Sequence, residues 1–253
     1  MANLSVNGWQ VVMMHYRGCS GVPNLKPRGY HSGETGDPSF FLDWLNQKFP
    51  QIPKVAVGFS LGGNMLLKLL GENPAQKWLN AAIAISSPLK LSECAKSINH
   101  GFSRVYQKYL LNSIKTTLRK KMSFIDYRKL IQLTGDDVDS ITSFAQFDEK
   151  VTAPLHGFED ANDYYEKCSA YHFLSAIHCP TLVLHSIDDP FMNHLVVPKE
   201  EELARNVTLE LSERGGHVGF MQGSVFSPKV WLHERVKRYV SDVLPINPNT
   251  PYV

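Results

Sequence analysis

The chain has 253 residues, 43% of them hydrophobic, and its 26 basic and 24 acidic residues leave a formal charge of +2. That is enough apolar material for a sizeable core, in one large α/β domain or two small ones. No apolar run approaches the ~18 residues of a membrane helix, Met1–Gln10 lacks a signal-peptide pattern, and the near-neutral balance argues against a nucleic-acid binder that relies on a basic surface. The expectation is a soluble, cytoplasmic protein with no nucleic-acid partner and no stable membrane insertion; the oligomeric state stays open.

In chain order, Trp9–Tyr16 (WQVVMMHY) reads as a buried strand ending in the turn-rich RGCSGVPN. Phe40, Phe41, Trp44, Leu45 and Phe49 fit one face of a helix stopped by Pro50. Lys54–Phe59 is a second strand, and Leu61–Leu70 a helix with Gly71 as its C-cap. Leu79–Ser86, Thr181–His185 and Val207–Leu211 are further strands, and Trp231–Val240 is a terminal helix. Strands alternating with helices imply a largely parallel sheet covered on both faces.

Between Leu89 and Cys179 the pattern turns to helices and polar loops, as expected of a helical insertion. Its run Lys115–Lys121 reads as a solvated helix face rather than a phosphate or membrane patch. Phe102, Tyr106, Tyr109 and Leu110 read first as the packing core of that insertion, and alternatively as the wall of an acyl pocket. The expected organisation is one domain over 1–245 with a helical cap insertion at 90–178, and an irregular tail at 246–253.

The four cysteines, Cys19, Cys94, Cys168 and Cys179, are widely separated and read as reduced thiols. Among the ten histidines no HExxH pair occurs; His233-Glu234 lacks the second histidine. Neither a metal nor a cofactor is expected.

Gly58-Phe59-Ser60-Leu61-Gly62 is a G-x-S-x-G sequence with a strand running into it and a helix leaving it. Such a turn strains the serine backbone and presents its hydroxyl at the sheet edge, with Gly58 and Gly62 relieving clashes. The backbone N–H of Leu61 then faces a developing oxyanion. A hydroxyl needs a base, and the base needs an orienting acid. Asp188 and Asp189 follow the Thr181–His185 strand, and His217 follows Val207–Leu211 after two glycines. Asp189, just before Pro190, fits the acid position; Asp188 is the alternative acid, or a capping residue.

The motifs HYRGCSGVPN, YHSGETGD, VAVGFSLGGNML, GFSRVYQKYLL, HSIDDPFM and ERGGHVGF resemble the YheT-like branch of the α/β-hydrolases. That branch is related to eukaryotic α/β-hydrolase-domain lipid esterases and yeast medium-chain ethyl-ester synthases. The resemblance, from about Gly8 to Val240, implies a serine carboxylic-ester hydrolase acting on small-molecule or lipid-like acyl esters, with Ser60 as nucleophile, Asp189 as acid and His217 as base. Some members pass the acyl group to an alcohol instead of water. The family fold also implies three strands before Trp9–Tyr16, absent here. The third lies between Trp9–Tyr16 and Lys54–Phe59 and leads into a loop carrying a second oxyanion donor. The resemblance therefore implies either a start upstream of Met1 or a truncated product, weakened or serving only as a binding fragment.

Overall fold

Four short strands form an all-parallel sheet in the order β1 (Val55–Phe59), β2 (Ala81–Ile85), β3 (Thr181–Ser186), β4 (Val207–Ser212). The computed structural model describes residues 2–224 and 226–244. Helices α1 (Ala2–Ser5) and α2 (Gly36–Lys48) precede β1, and α3 (Leu61–Glu72) connects β1 to β2. Between β2 and β3 the chain is helical: α4 (Leu91–Ser97), α5 (Ser103–Met122), α6 (Tyr127–Ile131), α7 (Gly135–Ser140), α8 (Phe144–Phe147), α9 (Ala153–His156) and α10 (Ala161–Cys168). After β4, a hairpin of β5 (Met221–Ser224) and β6 (Ser227–Val230) leads into α11 (Trp231–Val243).

The two inner strands are buried along their whole length, which is why they read as apolar runs without alternation. Successive residues still serve opposite faces. Ala82, Ala84 and Val183 pack against Leu66, Leu67, Leu69 and Leu70 of α3. Ile83, Ile85, Leu182 and Leu184 meet Leu232, Val236 and Val240 of α11. The alanines on the first face let α3 lie close to the sheet. A separate cluster of Leu111, Leu118, Tyr127, Leu133, Val138, Ile141 and Val151 holds the helical stretch together.

Asn64 ties these layers to each other. Fully buried on α3, its Nδ2 donates to Ser32 O at 3.0 Å and Cys168 O at 2.8 Å, while Oδ1 accepts from Ala170 N at 2.8 Å. One amide thus fixes the Tyr30–Glu34 loop and the end of α10 over the helix that follows Ser60.

Three sequence expectations need correction. Trp9–Tyr16 is irregular rather than a strand: among the described residues no strand pairs with it, and Val12 and Met13 are exposed. An apolar run gains strand geometry only with a ladder partner, and here there is none. Gly71 does not cap its helix, which continues to Glu72; a Cβ at Gly71 would meet Phe173 Cβ at 2.5 Å, so glycine serves close packing there. The Lys115–Lys121 run is not a simple solvated face. Lys121 is buried and bonded to Asn24 Oδ1 and Pro27 O, Lys115 reaches Asp139 O and Ile141 O, and Arg119 pairs with Asp139. The tail expected over 246–253 lies outside the described residues.

Replacing Asn64 with Ala leaves two carbonyls and one amide without partners in a dry site. An unsatisfied buried group costs about 1–3 kcal/mol, so Asn64→Ala is expected to lose about 2–4 kcal/mol of unfolding free energy in urea titration. A loss below about 1 kcal/mol would remove Asn64 from this role.

Candidate active site

Parallel register aligns the strand ends, with Phe59 opposite Ile85 and Ser186 opposite Ser212. The loops after β1, β3 and β4 therefore leave the same edge of the sheet, and they carry Ser60, Asp189 and His217. Ser60 sits between β1 and α3 with φ 48° and ψ −121°, a strained backbone for a residue with a Cβ. Its N–H donates to Ile85 O at 2.8 Å, which anchors the turn to β2.

The turn is tight because Gly58 lies against the first turn of α3. A Cβ on Gly58 would stand 2.5 Å from Gly62 O and 2.8 Å from Gly63 Cα. The second crowded position is Gly63, whose Cβ would collide with Ser87 Oγ, whereas a Cβ at Gly62 would meet open space. The expected clash relief thus falls on Gly58 and Gly63. Leu61 is the first residue of α3, so its N–H has no acceptor within the helix and lies beside Ser60 at the positive end of the helix dipole.

His217 joins the other two. Its Nδ1 is 2.8 Å from Asp189 Oδ2 and its Nε2 is 2.8 Å from Ser60 Oγ. An ionised carboxylate only accepts, so Nδ1 carries the proton and the Nε2 lone pair faces the Ser60 hydroxyl. The Asp189 side chain is fully buried, its other oxygen accepting from Phe191 N at 2.9 Å. Phe191 also lies edge-on to the His217 ring at 4.5 Å between centroids. The imidazole is held by a carboxylate on one side and an aromatic wall on another.

Asp188 turns away. It accepts from the Ser186 hydroxyl and from the backbone N–H of Gly215 and Gly216, both at 2.8 Å. The Ser186 hydroxyl above all, and then the two amides, hold its carboxyl below the usual carboxylate range. Adjacent aspartates divide the work: one holds the imidazole, and the other shapes the loop that carries it.

A cavity of about 1710 Å³ opens beside Ser60 and His217. Tyr106, Tyr109, Leu110, Phe144, Phe147 and Val151 wall it from the helical stretch, and it continues past Val11, Met13, Phe41, Leu45, Val55 and Val57 along the outer edge of β1. It exceeds the usual ~300–1,000 Å³ of a small-molecule site. The excess fits the unpaired flank of β1, where Trp9–Tyr16 passes without joining the sheet. Phe102 and Tyr109 are 80% and 72% exposed, so neither belongs to a packing core.

Residues 1–224 match the family model for the alpha/beta hydrolase fold. The chain belongs to the α/β-hydrolase family. It is 45% identical over 237 residues to the Escherichia coli (strain K12) protein named "Putative esterase YheT", covering 94% of this chain and 69% of that one. It is 29% identical to the Danio rerio "Monoacylglycerol lipase ABHD2", covering 93% of this chain but 59% of the relative. The Pyrococcus furiosus esterase Pf2001 structure superposes with a TM-score of 0.54 at 15% identity over 95% of this chain and 73% of that one, a likeness of fold.

Two clusters in this α/β-hydrolase chain gave no signal in the sequence. His31, Glu34 and His156 bring ligand-type atoms within 4.8 Å of one another. As bonded they do not form a ligand set. Nδ1 of His31 accepts from Gly33 N and Nδ1 of His156 accepts from Arg28 Nε, so each neutral ring carries its proton on Nε2, and a guanidinium stands alongside. Burial first, helped by Arg28, lowers both imidazoles to about 4 and keeps them neutral. The second cluster is Asp148, in the cavity wall, accepting from Thr152 Oγ1 at 2.7 Å and Tyr165 OH at 2.8 Å. Burial pushes its carboxyl up to about 6 against these bonds. Thr152 is one turn along the same helical segment, and Tyr165 reaches Asp148 from α10.

Asp148 makes stability depend on pH in a definite direction. Its folded pKa exceeds the unfolded value near 4, so the folded state holds a proton that the unfolded chain has lost. Asp148 thus contributes a stability that is lost as pH rises from about 4 to about 6, opposite in sign to His31 and His156, whose lowered pKa values make stability rise over the same window. Asp148→Asn removes the falling contribution, so the variant's stability is expected to rise more steeply with pH than that of wild type. Melting curves across that window check it; parallel wild-type and variant profiles would show that Asp148 is not responsible.

Proposed function

We propose that this chain is a serine carboxylic-ester hydrolase acting on acyl esters through an acyl-enzyme. The observation that carries the reading is His217, bonded at 2.8 Å to both Ser60 Oγ and Asp189 Oδ2 at the mouth of a largely apolar cavity. The esterase and lipase names of its relatives support the same class.

His217 Nε2 takes the Ser60 proton as Oγ attacks the ester carbonyl carbon. The carbonyl oxygen becomes an oxyanion beside the Leu61 N–H. The buried Asp189 carboxylate holds the imidazole in the required tautomer and stabilises its charged form. Collapse breaks the carbon–oxygen bond, and the departing alkoxide takes the proton from His217 Nε2. Water, deprotonated by His217, then attacks the acyl-Ser60 carbonyl; the acid leaves and the proton returns to Ser60. The apolar walls of the cavity suit an acyl chain, and β1 and α3 keep the serine rigid while it reacts.

A fluorophosphonate should add one phosphonyl group to Ser60 Oγ, read by intact mass, and Ser60→Ala should neither label nor turn over a p-nitrophenyl ester. Labelling of Ser60→Ala at the wild-type rate would overturn the assignment.

The two aspartates separate in the same assay. Asp189→Asn leaves His217 in the wrong tautomer and should lower kcat roughly 10³–10⁴-fold, whereas Asp188→Asn, which perturbs only the loop, should cost about tenfold or less. Equal losses would erase the distinction. With ethanol added, free acid is the expected product; ethyl ester would move the reading to acyl transfer on the same residues.

A further inference from the structure

We propose that the N-terminal half of α5, with Phe102, is a docking face for an anionic phospholipid surface, set at the mouth of the Ser60–His217 site. The inference concerns where the protein sits and stands apart from the chemistry assigned to Ser60.

Helix α5 is amphipathic in an unusual sense. Ser103, Gln107, Leu111 and Leu118 turn inward and are buried. The opposite stripe is also apolar at its N-terminal end: Phe102, Val105, Tyr106 and Tyr109 are 80%, 60%, 50% and 72% exposed, at the i, i+3, i+4, i+7 spacing of one helix face. A run of exposed large apolar side chains on a single face marks an interaction site rather than scattered surface residues.

Its position is fixed relative to the candidate site. The Ser103 hydroxyl donates to Pro190 O at 2.5 Å, directly after Asp189. The Tyr106 ring lies 5.2 Å from that of Phe191, and Phe191 lies 4.5 Å from His217. Gln107 locks the helix from behind, donating to Asn99 Oδ1 and accepting from Phe144 N. The exposed stripe is therefore a rigid lip one aromatic ring removed from His217, and its inner members Tyr106 and Tyr109 border the cavity.

Charge selects the occupant. The twenty residues of α5 include Arg104, Lys108, Lys115, Arg119, Lys120 and Lys121 and no acidic residue. Lys115, Arg119 and Lys121 are engaged within the protein. Arg104 and Lys108 are exposed on the flank of the apolar stripe, and no ion pair to either occurs among the described residues. Apolar rings with adjacent free cations match an interfacial plane of acyl tails under anionic headgroups. A second copy of this chain fits poorly, because two-fold apposition would bring Arg104 and Lys108 near their own counterparts with no acid on the helix to offset them. No described helix is long and apolar enough to cross a membrane, so the contact is with the surface.

The test is co-sedimentation of the full chain with phosphatidylcholine vesicles, with and without phosphatidylserine. Wild type should partition onto the phosphatidylserine vesicles, less so in high salt. Phe102→Ser with Val105→Ser, both exposed and outside the cavity wall, should lower partitioning roughly tenfold or more. Arg104→Gln with Lys108→Gln should abolish the phosphatidylserine preference. Both double variants should keep wild-type melting temperatures and wild-type turnover of a dissolved short-chain ester, and Ser60→Ala should bind vesicles like wild type. Those controls separate failure here from failure of the hydrolase reading. Absence of wild-type partitioning, or partitioning unchanged in both double variants, would overturn the proposal. So would a concentration-dependent dimer that Phe102→Ser with Val105→Ser dissociates, which would assign the face to a second copy.

Discussion

No side chain fits between Gly58 and the first turn of α3, and that close approach governs the geometry of everything above it. It lets the chain leave β1 and enter a helix within one residue, at the cost of a positive φ at Ser60. The strain persists because the surroundings over-determine it. Ser60 N is bonded into β2, Gly63 is pressed against Ser87, and Asn64 in the next position is clamped by three backbone groups. The serine hydroxyl is consequently held up from the sheet edge, which is the preorganisation that the nucleophile role proposed for it requires.

The electrostatic layout follows from where the loops emerge. A buried carboxylate is tolerable only if hydrogen-bonded and matched, and Asp189 meets that condition with Phe191 N on one oxygen and His217 Nδ1 on the other. Asp188, one residue earlier and solvent-facing, accepts through Oδ1 from the amides of Gly215 and Gly216, the two residues before His217. The imidazole is thus positioned twice, through its ring by one aspartate and through its backbone by the other. His185, buried on β3 nearby, has its pKa lowered, first by burial and also by His217, with Asp189 pulling the other way.

Much of this arrangement was readable because it depends on local pattern and chain order. Strands β1 to β3 carry short apolar runs, β4 alternates, and α3 and α11 each have an apolar face. The serine–acid–histidine order follows once strand ends are aligned by parallel pairing. What was not readable depends on neighbours. Trp9–Tyr16 has a strand's composition, but a strand is defined by its ladder, and none of the described strands lies beside it. Gly71 has a cap's position, but its smallness answers to Phe173, about a hundred residues away. Phe102 and Tyr109 have a core's composition and an exposed location, because periodicity reports that a helix has an apolar face without saying whether protein covers it. Asp148 and His31 owe their shifted acidities to burial among residues far along the chain.

The open flank of β1 bears on how such a chain would handle a water-insoluble ester. Strand β1 is only partly buried, unlike β2 and β3, and the cavity that begins at Ser60 runs on beside it. A long apolar slot of this kind favours an acyl chain over a compact polar substrate, since each buried methylene adds about 0.8 kcal/mol of transfer free energy while a polar group left unpaired there costs more. Water in the same slot would weaken the preorganised field around an oxyanion. Filling the cavity with an acyl chain would therefore bind the substrate and dry the reaction site at once. In the proposed hydrolase, that would couple turnover to chain length through a term that raises kcat as well as lowering KM. An exposed aromatic lip on α5, next to Phe191 and His217, is where such a chain would have to pass from a lipid phase into the slot.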